Sequence, residues 1–182
     1  MTTAQDRLQI AADKSELLDL LYRYCRAIDR RDMDLLRTVY HPDATDNHGG
    51  YYNGPVDGFF EVVPASLEPF ALTQHMIANA LFVVDGDRAE GESYLIANHM
   101  PKDDPYRSIF AIARYLDVFE RRNGEWRISE RTCVLDWDSE GGMDPGAISG
   151  KPDAHDPSYR HLHLLAALAD GATVRTKDGI TA

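Results

Sequence analysis

The spacing of apolar positions predicts a long first helix near the start of the chain. Asp13 followed by Glu16 has the pattern of a capping box, which predicts that this helix begins at Asp13. The apolar positions then follow a 3.6-residue period and form one wide arc, consisting of Leu17, Leu18, Leu21, Tyr24, Cys25 and Ile28. Asp29 lies at the edge of this arc, where a carboxylate needs a hydrogen-bonding partner.

Two shorter helices are predicted next. Asp32 fits the N-cap of a second helix that continues to Tyr40 and is ended by His41-Pro42. Residues 43–53 are polar and Gly-rich, which indicates short irregular strands or a turn. Gly54-Pro55 then predicts the start of a third helix.

From residue 72 onward the pattern changes to that of strands. The four predicted strands cover residues 73–84, 89–100, 107–121 and 126–137. Asn123-Gly124 is a strong hairpin signal between the last two. Three helices followed by an antiparallel meander predict an α+β fold.

The chain is predicted to form one domain over residues 1–137 with a C-terminal extension over 138–182. The extension is rich in Gly, Asp and Pro at first, and residues 159–168 have the pattern of one short helix. It is too short to build a core of its own. We therefore expect it to wrap the domain or a neighbouring subunit, or to cap the mouth of a pocket.

The net charge and the cysteine content limit the binding partners and the cellular location that we expect for the protein. The 182 residues carry a net charge of −11, which argues against binding nucleic acid or an anionic membrane. No run approaches the roughly 18 apolar residues of a membrane span, and the first residues lack the apolar core of a signal peptide. Two cysteines without a CxxC motif are typical of a reducing cytoplasm.

His75, at the start of the strand pattern, is the candidate base. Histidine titrates near neutral pH, and a carboxylate that accepts its second ring proton fixes its tautomer. Asp29 is the candidate partner, although a purely structural ion pair between helix and sheet has the same residues. The site also needs a group that stabilises charge on a substrate oxygen. The candidates for that role are Tyr24, His48, His99 and Arg131.

A metal site is the main competing hypothesis. The chain has seven histidines, and His41, Asp43, Asp46 and His48 lie close together in sequence. There is no HExxH motif, and His161 and His163 would point to different sides of a helix. There is no GxGxxG or P-loop motif either, so we predict neither a metal nor a nucleotide cofactor.

The order of elements and several motifs resemble the SnoaL-like, scytalone dehydratase-like branch of the nuclear transport factor two-like superfamily. That branch includes scytalone dehydratase, bile acid 7α-dehydratase and hexachlorocyclohexane dehydrochlorinase. The motifs that carry the resemblance are Tyr24-x4-Asp29, Gly54-Pro55, Gln74-His75-Met76, Tyr115-x-Asp117-x-Phe119, Asn123-Gly124-x-Trp126 and Arg131. The resemblance implies a cone-like α+β barrel in which three N-terminal helices pack on a curved antiparallel sheet and enclose an apolar pocket.

The resemblance also implies roles for individual residues. The matching Asp and His of the family form a dyad, in which the position of His75 takes a proton from carbon. Tyr24 and Arg131 match further site positions. A second pocket histidine matches His99, or Asn98 if the strand shifts by one residue. Ala97 stands where the bile acid enzyme has another carboxylate, so this chain departs from that enzyme.

These arguments predict a cofactor-independent lyase, and the resemblance implies that its substrate is a small polycyclic or aromatic alcohol. The predicted catalytic residues are His75, Asp29, Tyr24 and His99, and the predicted substrate-binding residues are Arg131, His48, Asn98, Phe59, Met76 and Phe110. The predicted pocket wall is Leu21, Phe59, Val63, Phe70, Met76, Phe110 and Ile112. An isomerase and a non-catalytic module, like the small subunit of ring-hydroxylating dioxygenases, are the alternatives. A sheet with two apolar faces predicts a homo-oligomer, either dimer or trimer.

Overall fold

In the computed structural model, which describes residues 3–140 and 146–169, the three N-terminal helices pack on one face of a curved, unclosed sheet. The helices are α1 (Ala4–Arg30), α2 (Met33–Val39), α3 (Val56–Leu67), α4 (Ser158–His161) and α5 (His163–Ala169). The strands are β1 (Tyr40–Asn47), β2 (Asn53–Pro55), β3 (Phe70–Asp85), β4 (Arg88–Pro101), β5 (Ile109–Arg122), β6 (Glu125–Asp138) and β7 (Ile148–Ser149). The α+β fold predicted from the sequence is confirmed.

Helix α1 begins earlier than predicted. Thr3 is its N-cap and forms a capping box with Asp6. Asp13 lies inside the helix and is buried, where it accepts hydrogen bonds from Arg121 at 2.6 Å and from the Trp126 indole at 3.1 Å. The prediction that Asp13 starts the helix was wrong because its carboxylate makes tertiary contacts instead of capping.

The next two helices follow the sequence signals closely. Asp32 caps α2 by accepting the Leu35 amide at 2.9 Å, as predicted. The helix ends at Val39, one residue before the predicted end, because Tyr40 already has extended backbone and starts β1. Helix α3 begins directly after Pro55, which confirms the signal at Gly54-Pro55.

The strand order in the sheet is β2-β1-β6-β5-β4-β3, and β7 also pairs with β6. The four long strands form the predicted antiparallel meander. Asn123 and Gly124 join β5 to β6 with φ of 54° and 83°, the left-handed backbone that a tight hairpin turn requires. However, β1 and β7 run parallel to β6, so the sheet is mixed and not wholly antiparallel as predicted.

The C-terminal extension lies on the sheet face opposite α1 and α3. The single predicted helix is two helices, because the backbone breaks from helical geometry at Leu162. Leu162 and Leu165 are buried against Val83, Leu116 and Val134. Residues 141–145 and 170–182 of the predicted extension lie outside the described residues. No helix within the described ranges is long and apolar enough to cross a membrane.

Candidate functional site

A cavity of about 440 Å³ lies between the helices and the inner face of the sheet. Its apolar wall comes mainly from Ile28, Phe59, Val63, Leu67, Phe70, Leu95, Ala97, Ala111, Ala113, Cys133 and Leu135. Three of these are alanines on adjacent strands β4 and β5, and their small side chains leave the space open. The polar side chains at the cavity are Tyr24, His48, Tyr51, Ser66, His75, His99 and Tyr115.

The structure brings Asp29 and His75 together at this cavity. Asp29 lies in the last turn of α1, and His75 lies in β3. Nδ1 of His75 is 2.7 Å from one Asp29 oxygen, and the His75 backbone amide donates to the other at 2.9 Å. The Thr73 hydroxyl adds a third hydrogen bond to Asp29 at 3.1 Å. The carboxylate therefore fixes the imidazole through Nδ1, which leaves Nε2 as the ring nitrogen for chemistry in the cavity.

His99 lies beside this pair. It is on β4, directly opposite Thr73 of β3, and its ring centre is 5.4 Å from that of His75 and 5.0 Å from that of Phe70. Burial, and secondarily the nearby His75, lowers the pKa of His99 to about 4. His99 is therefore a neutral hydrogen-bonding group at neutral pH. Its Nδ1 is buried and has no hydrogen-bond partner among the described residues.

Strand alternation removes several predicted residues from the cavity. The predicted pocket residues that lie on the outer face of the sheet are Met76, Asn98, Phe110 and Ile112. Each is next in sequence to an inward residue such as His75, His99 or Ala111, and neighbours on a strand point to opposite faces. Asn98 instead accepts a hydrogen bond from the Ser108 hydroxyl. Leu21 is buried in the core of α1 but does not line the cavity.

Arg131 does not line the cavity either, contrary to the prediction. It is on the inward face of β6, as Cys133 and Leu135 are, but lies deeper. Its guanidinium forms a bidentate ion pair with the buried Asp117, at 2.7 and 2.8 Å. The rings of Tyr24 and Tyr115 enclose it, with centroids 4.1 and 3.9 Å from the guanidinium carbon. Arg131 thus packs behind Tyr24 and Tyr115, two aromatic side chains that line the cavity.

Tyr24, a predicted catalytic residue, lines the cavity. Its ring packs edge-on against Tyr40 and Tyr115, at 6.2 and 5.5 Å between centroids. Burial raises the pKa of the Tyr24 hydroxyl far above its ordinary value, so it stays protonated and can donate a hydrogen bond. Tyr24 and Ile28 of α1 line the cavity, whereas Asp29 contributes to it through its hydrogen bond with His75.

His48 lines the cavity and is not the surface turn that the sequence also allowed. Its ring stacks on Phe59 at 5.1 Å with an interplanar angle of 12°. Nδ1 of His48 is 2.5 Å from Asp46, which is fully buried and also accepts the Tyr40 hydroxyl at 2.7 Å. Sequence reasoning did not assign Asp46 to the site. The available signal was the two-residue spacing, which places both side chains on one face of an extended strand.

The four residues of the sequence cluster that suggested a metal do not form one site, because only Asp46 and His48 contact each other. His41 bonds to the Glu120 carbonyl, and Asp43 pairs with Arg122. Within residues 3–140 and 146–169, no three His, Cys, Asp or Glu side chains are grouped as metal ligands. The exposed His161 and His163 do not approach the cavity lining.

The comparisons with known proteins agree with this architecture. A family model described as "SnoaL-like domain" matches residues 9–132, more than half of the chain. Uncharacterized proteins of Mycobacterium tuberculosis and Mycobacterium bovis are each 31% identical over 124 residues, which is 66% of this chain and 83% of theirs.

Two solved structures show the same fold at low sequence identity. A proposed scytalone dehydratase from Novosphingobium aromaticivorans superposes with a TM-score of 0.71 at 14% identity, covering 79% of this chain and 97% of that one. The hexachlorocyclohexane dehydrochlorinase LinA-type3 from Novosphingobium barchaimii superposes with a TM-score of 0.65 at 21% identity, covering 81% and 99%. These likenesses show that the chain shares the fold of these two proteins.

Proposed function

The chain belongs to the SnoaL-like domain family, and on that premise we propose that it is a cofactor-independent lyase. His75 removes a proton from a carbon beside a carbonyl group, and a neighbouring oxygen substituent leaves as the double bond forms. The observation that carries this proposal is the Asp29–His75 hydrogen bond at the wall of an apolar cavity.

The geometry suits His75 to act as a base. Because Nδ1–H donates to Asp29, the lone pair of the neutral ring is on Nε2. The carboxylate then stabilises the imidazolium that forms when Nε2 takes a proton. Asp29 itself is anchored by the Thr73 hydroxyl and the His75 amide, so it cannot readily turn away.

The cavity favours a small, flat, mostly apolar substrate. Its volume of about 440 Å³ is within the range of small-molecule sites, and aromatic and aliphatic side chains form most of its wall. Tyr24 and His99 are the groups proposed to donate a hydrogen bond to the substrate carbonyl, because one stays protonated and the other stays neutral. We therefore propose bicyclic aromatic β-hydroxyketones as the substrate class.

The names of the structural neighbours support the reaction class only. One is described as a dehydratase and the other as a dehydrochlorinase, and both names denote eliminations. Isomerisation would use the same first step, since it differs only in where the proton returns.

Proton exchange tests the role of His75 without requiring a leaving group. α-Tetralone, a bicyclic aromatic ketone, is incubated with the protein in deuterated water, and deuterium at its α-carbon is measured by mass spectrometry. We expect exchange above the buffer rate, and a loss of about 10²–10⁴-fold in His75→Gln. His155→Gln, a change in an exposed histidine of the C-terminal extension, should retain the exchange rate. Exchange by His75→Gln at the wild-type rate would overturn the proposal.

The outer face of the sheet supports self-association. Met76, Ile96, Phe110, Ile112 and Trp137 are exposed there, and a contiguous apolar surface of this kind is typical of an interface. We propose a homodimer or homotrimer, in which Ile112→Glu should reduce the mass measured by light scattering to that of one chain. A single-chain mass for the wild-type protein would contradict it.

Cys25 and Cys133 form no disulfide, which supports the proposed cytoplasmic location.

A further inference from the structure

The cavity has a second histidine–aspartate pair on the wall opposite His75. His48 directly follows β1, whereas His75 is on β3, and the sheet order places β6, β5 and β4 between those two strands. Both histidines nevertheless line the same cavity, because the sheet curls around it. The two imidazoles therefore bracket whatever the cavity binds.

The two pairs are built alike. His48 and His75 each contact their carboxylate through Nδ1, at 2.5 and 2.7 Å respectively. In each ring the other nitrogen, Nε2, lies on the side away from the carboxylate. Stacking on Phe59 and edge contacts with Tyr51 and Tyr115 hold the His48 ring in place. Only 16% of the His48 side chain is exposed, so this histidine is packed into the cavity wall.

The surroundings of the two carboxylates differ. Asp29 is 14% exposed and accepts three hydrogen bonds, whereas the Asp46 side chain is fully buried and accepts from His48 and the Tyr40 hydroxyl. A buried carboxylate is costly unless a cation compensates it. Arg131, opposite Asp46 in the sheet, binds Asp117 through Nε and Nη2, and its Nη1 has no hydrogen-bond partner among the described residues. His48 is the titratable side chain in direct contact with Asp46, so this carboxylate stabilises the protonated form of His48.

We propose that His48, oriented by Asp46, is the general acid of the site, opposite the general base His75; this inference rests on the proposed lyase function. His75 Nε2 takes the proton from the substrate carbon, and the C–H electrons form the new double bond. The C–O bond breaks, and the oxygen takes its electron pair together with the proton from His48 Nε2. Water leaves, and proton exchange with solvent restores both histidines.

This arrangement defines the substrate further. The acidic C–H must face the wall of His75 and Phe70, and the departing hydroxyl must face the wall of His48 and Phe59. Because the C–H and C–O bonds are on adjacent carbons, they meet both histidines when they point to opposite faces of the ring. A substrate with both bonds on the same face of the ring would not reach both histidines.

Imidazole NMR tests the contact between His48 and Asp46 without any substrate. In protein with isotope-labelled histidine, we expect the Nδ1 signals of His48 and His75 to report hydrogen bonds to their carboxylates. His48→Gln assigns the signals, and Asp46→Asn should shift the Nδ1 signal of His48 while the signals of His75 stay unchanged. A His48 signal that does not respond to Asp46→Asn would overturn the assignment.

Comparing substrates with different leaving groups distinguishes the role of His48 as the acid from that of His75 as the base. The probes are a bicyclic β-hydroxyketone, its β-acetoxy analogue, whose acetate departs without a proton, and α-tetralone for proton exchange. His48→Gln should slow elimination of water about 10²–10⁴-fold, while elimination of acetate and proton exchange change little. Equal slowing of both eliminations would overturn the role of His48 and leave the lyase standing. If His75→Gln slows none of the three reactions, the proposed function itself fails. Circular dichroism confirms that each variant folds.

Discussion

The two faces of the same sheet carry opposite kinds of polar chemistry. On the outer face, Arg114 of β5 contacts Glu92 at 2.7 Å, Asp136 at 2.8 Å and Asp156 at 2.7 Å, and so ties the C-terminal extension to the sheet. On the inner face, His75 and His48 each have one carboxylate on Nδ1 and keep Nε2 for the cavity. The ion pairs of Arg114 stabilise the structure on the outer face. On the inner face, the Nε2 atoms of the two histidines leave the cavity wall able to react.

Asp156 illustrates the outer face. Although burial acts to raise its pKa, hydrogen bonds from Arg114, the Lys151 amide and Ser158 lower it below the ordinary range. Glu90, also buried, accepts the Leu164 amide at 2.7 Å at the start of α5. The extension is thus held by charge contacts as well as by the apolar cluster around Leu162 and Leu165.

The largest effect on stability is expected at the buried ion pair between Asp117 and Arg131 on the inner face. Asp117→Asn leaves Arg131 buried without its carboxylate, and breaking a buried pair in this way costs about 3–5 kcal/mol. The free energy of unfolding in urea measures this loss. The matched control is Asp43→Asn, which removes an exposed pair with Arg122 and should cost under about 1 kcal/mol. Similar losses in both variants would contradict the distinction.

His99 makes the inner face sensitive to acid. Because its folded pKa is about 4 against an ordinary value of 6.5, the unfolded chain binds a proton between these values that the folded chain does not. Stability therefore falls as pH is lowered through this window, by about 2 kcal/mol between neutral pH and about pH 4.5. Urea unfolding of His99→Asn should show a shallower pH dependence by that amount. An unchanged pH dependence would argue against a neutral buried His99.

Adjacent residues on β5 test the division between the faces. Ala113→Leu adds volume to the cavity and should weaken binding of α-tetralone at least about 10-fold, measured by calorimetry, because it occupies the ligand's space. Ile112→Leu changes the outward neighbour and should leave the dissociation constant unchanged. Equal affinity of the Ala113→Leu and wild-type proteins would place the ligand elsewhere.

The smallest effect is expected for one carboxylate of the outer network. Asp156→Asn leaves Arg114 with two carboxylates, so we expect a loss of about 1 kcal/mol. Hydrogen exchange should increase at the amides of α5, while proton exchange of α-tetralone stays at the wild-type rate. A slower reaction in this variant would show that the extension controls the cavity.

Local patterns predicted the elements and one half of the site. The arc of α1 placed Asp29 at the edge of the apolar side, and the strand pattern placed His75 near the start of β3. The choice between Asn98 and His99 was left open, since a shift of one residue reverses the faces of a strand. The same uncertainty led to Met76 and Phe110 being predicted inside the cavity.

Contacts between distant segments were beyond the local pattern. The parallel pairing of β1 with β6 joins residues that are far apart in sequence, and without it 43–53 resembled a turn. The Asp46–His48 pair was missed as a site for that reason. Arg131 showed the correct strand face, but its depth depends on packing against Tyr24 and Tyr115.

A crystal structure with α-tetralone bound tests the central claim most directly, since it shows whether His75 meets an acidic carbon in the cavity. We predict that the α-carbon of the ketone lies about 3–3.5 Å from His75 Nε2, with Nδ1 still hydrogen bonded to Asp29. A ketone bound outside the cavity, or one whose α-carbon lies beyond reach of His75, would contradict the account.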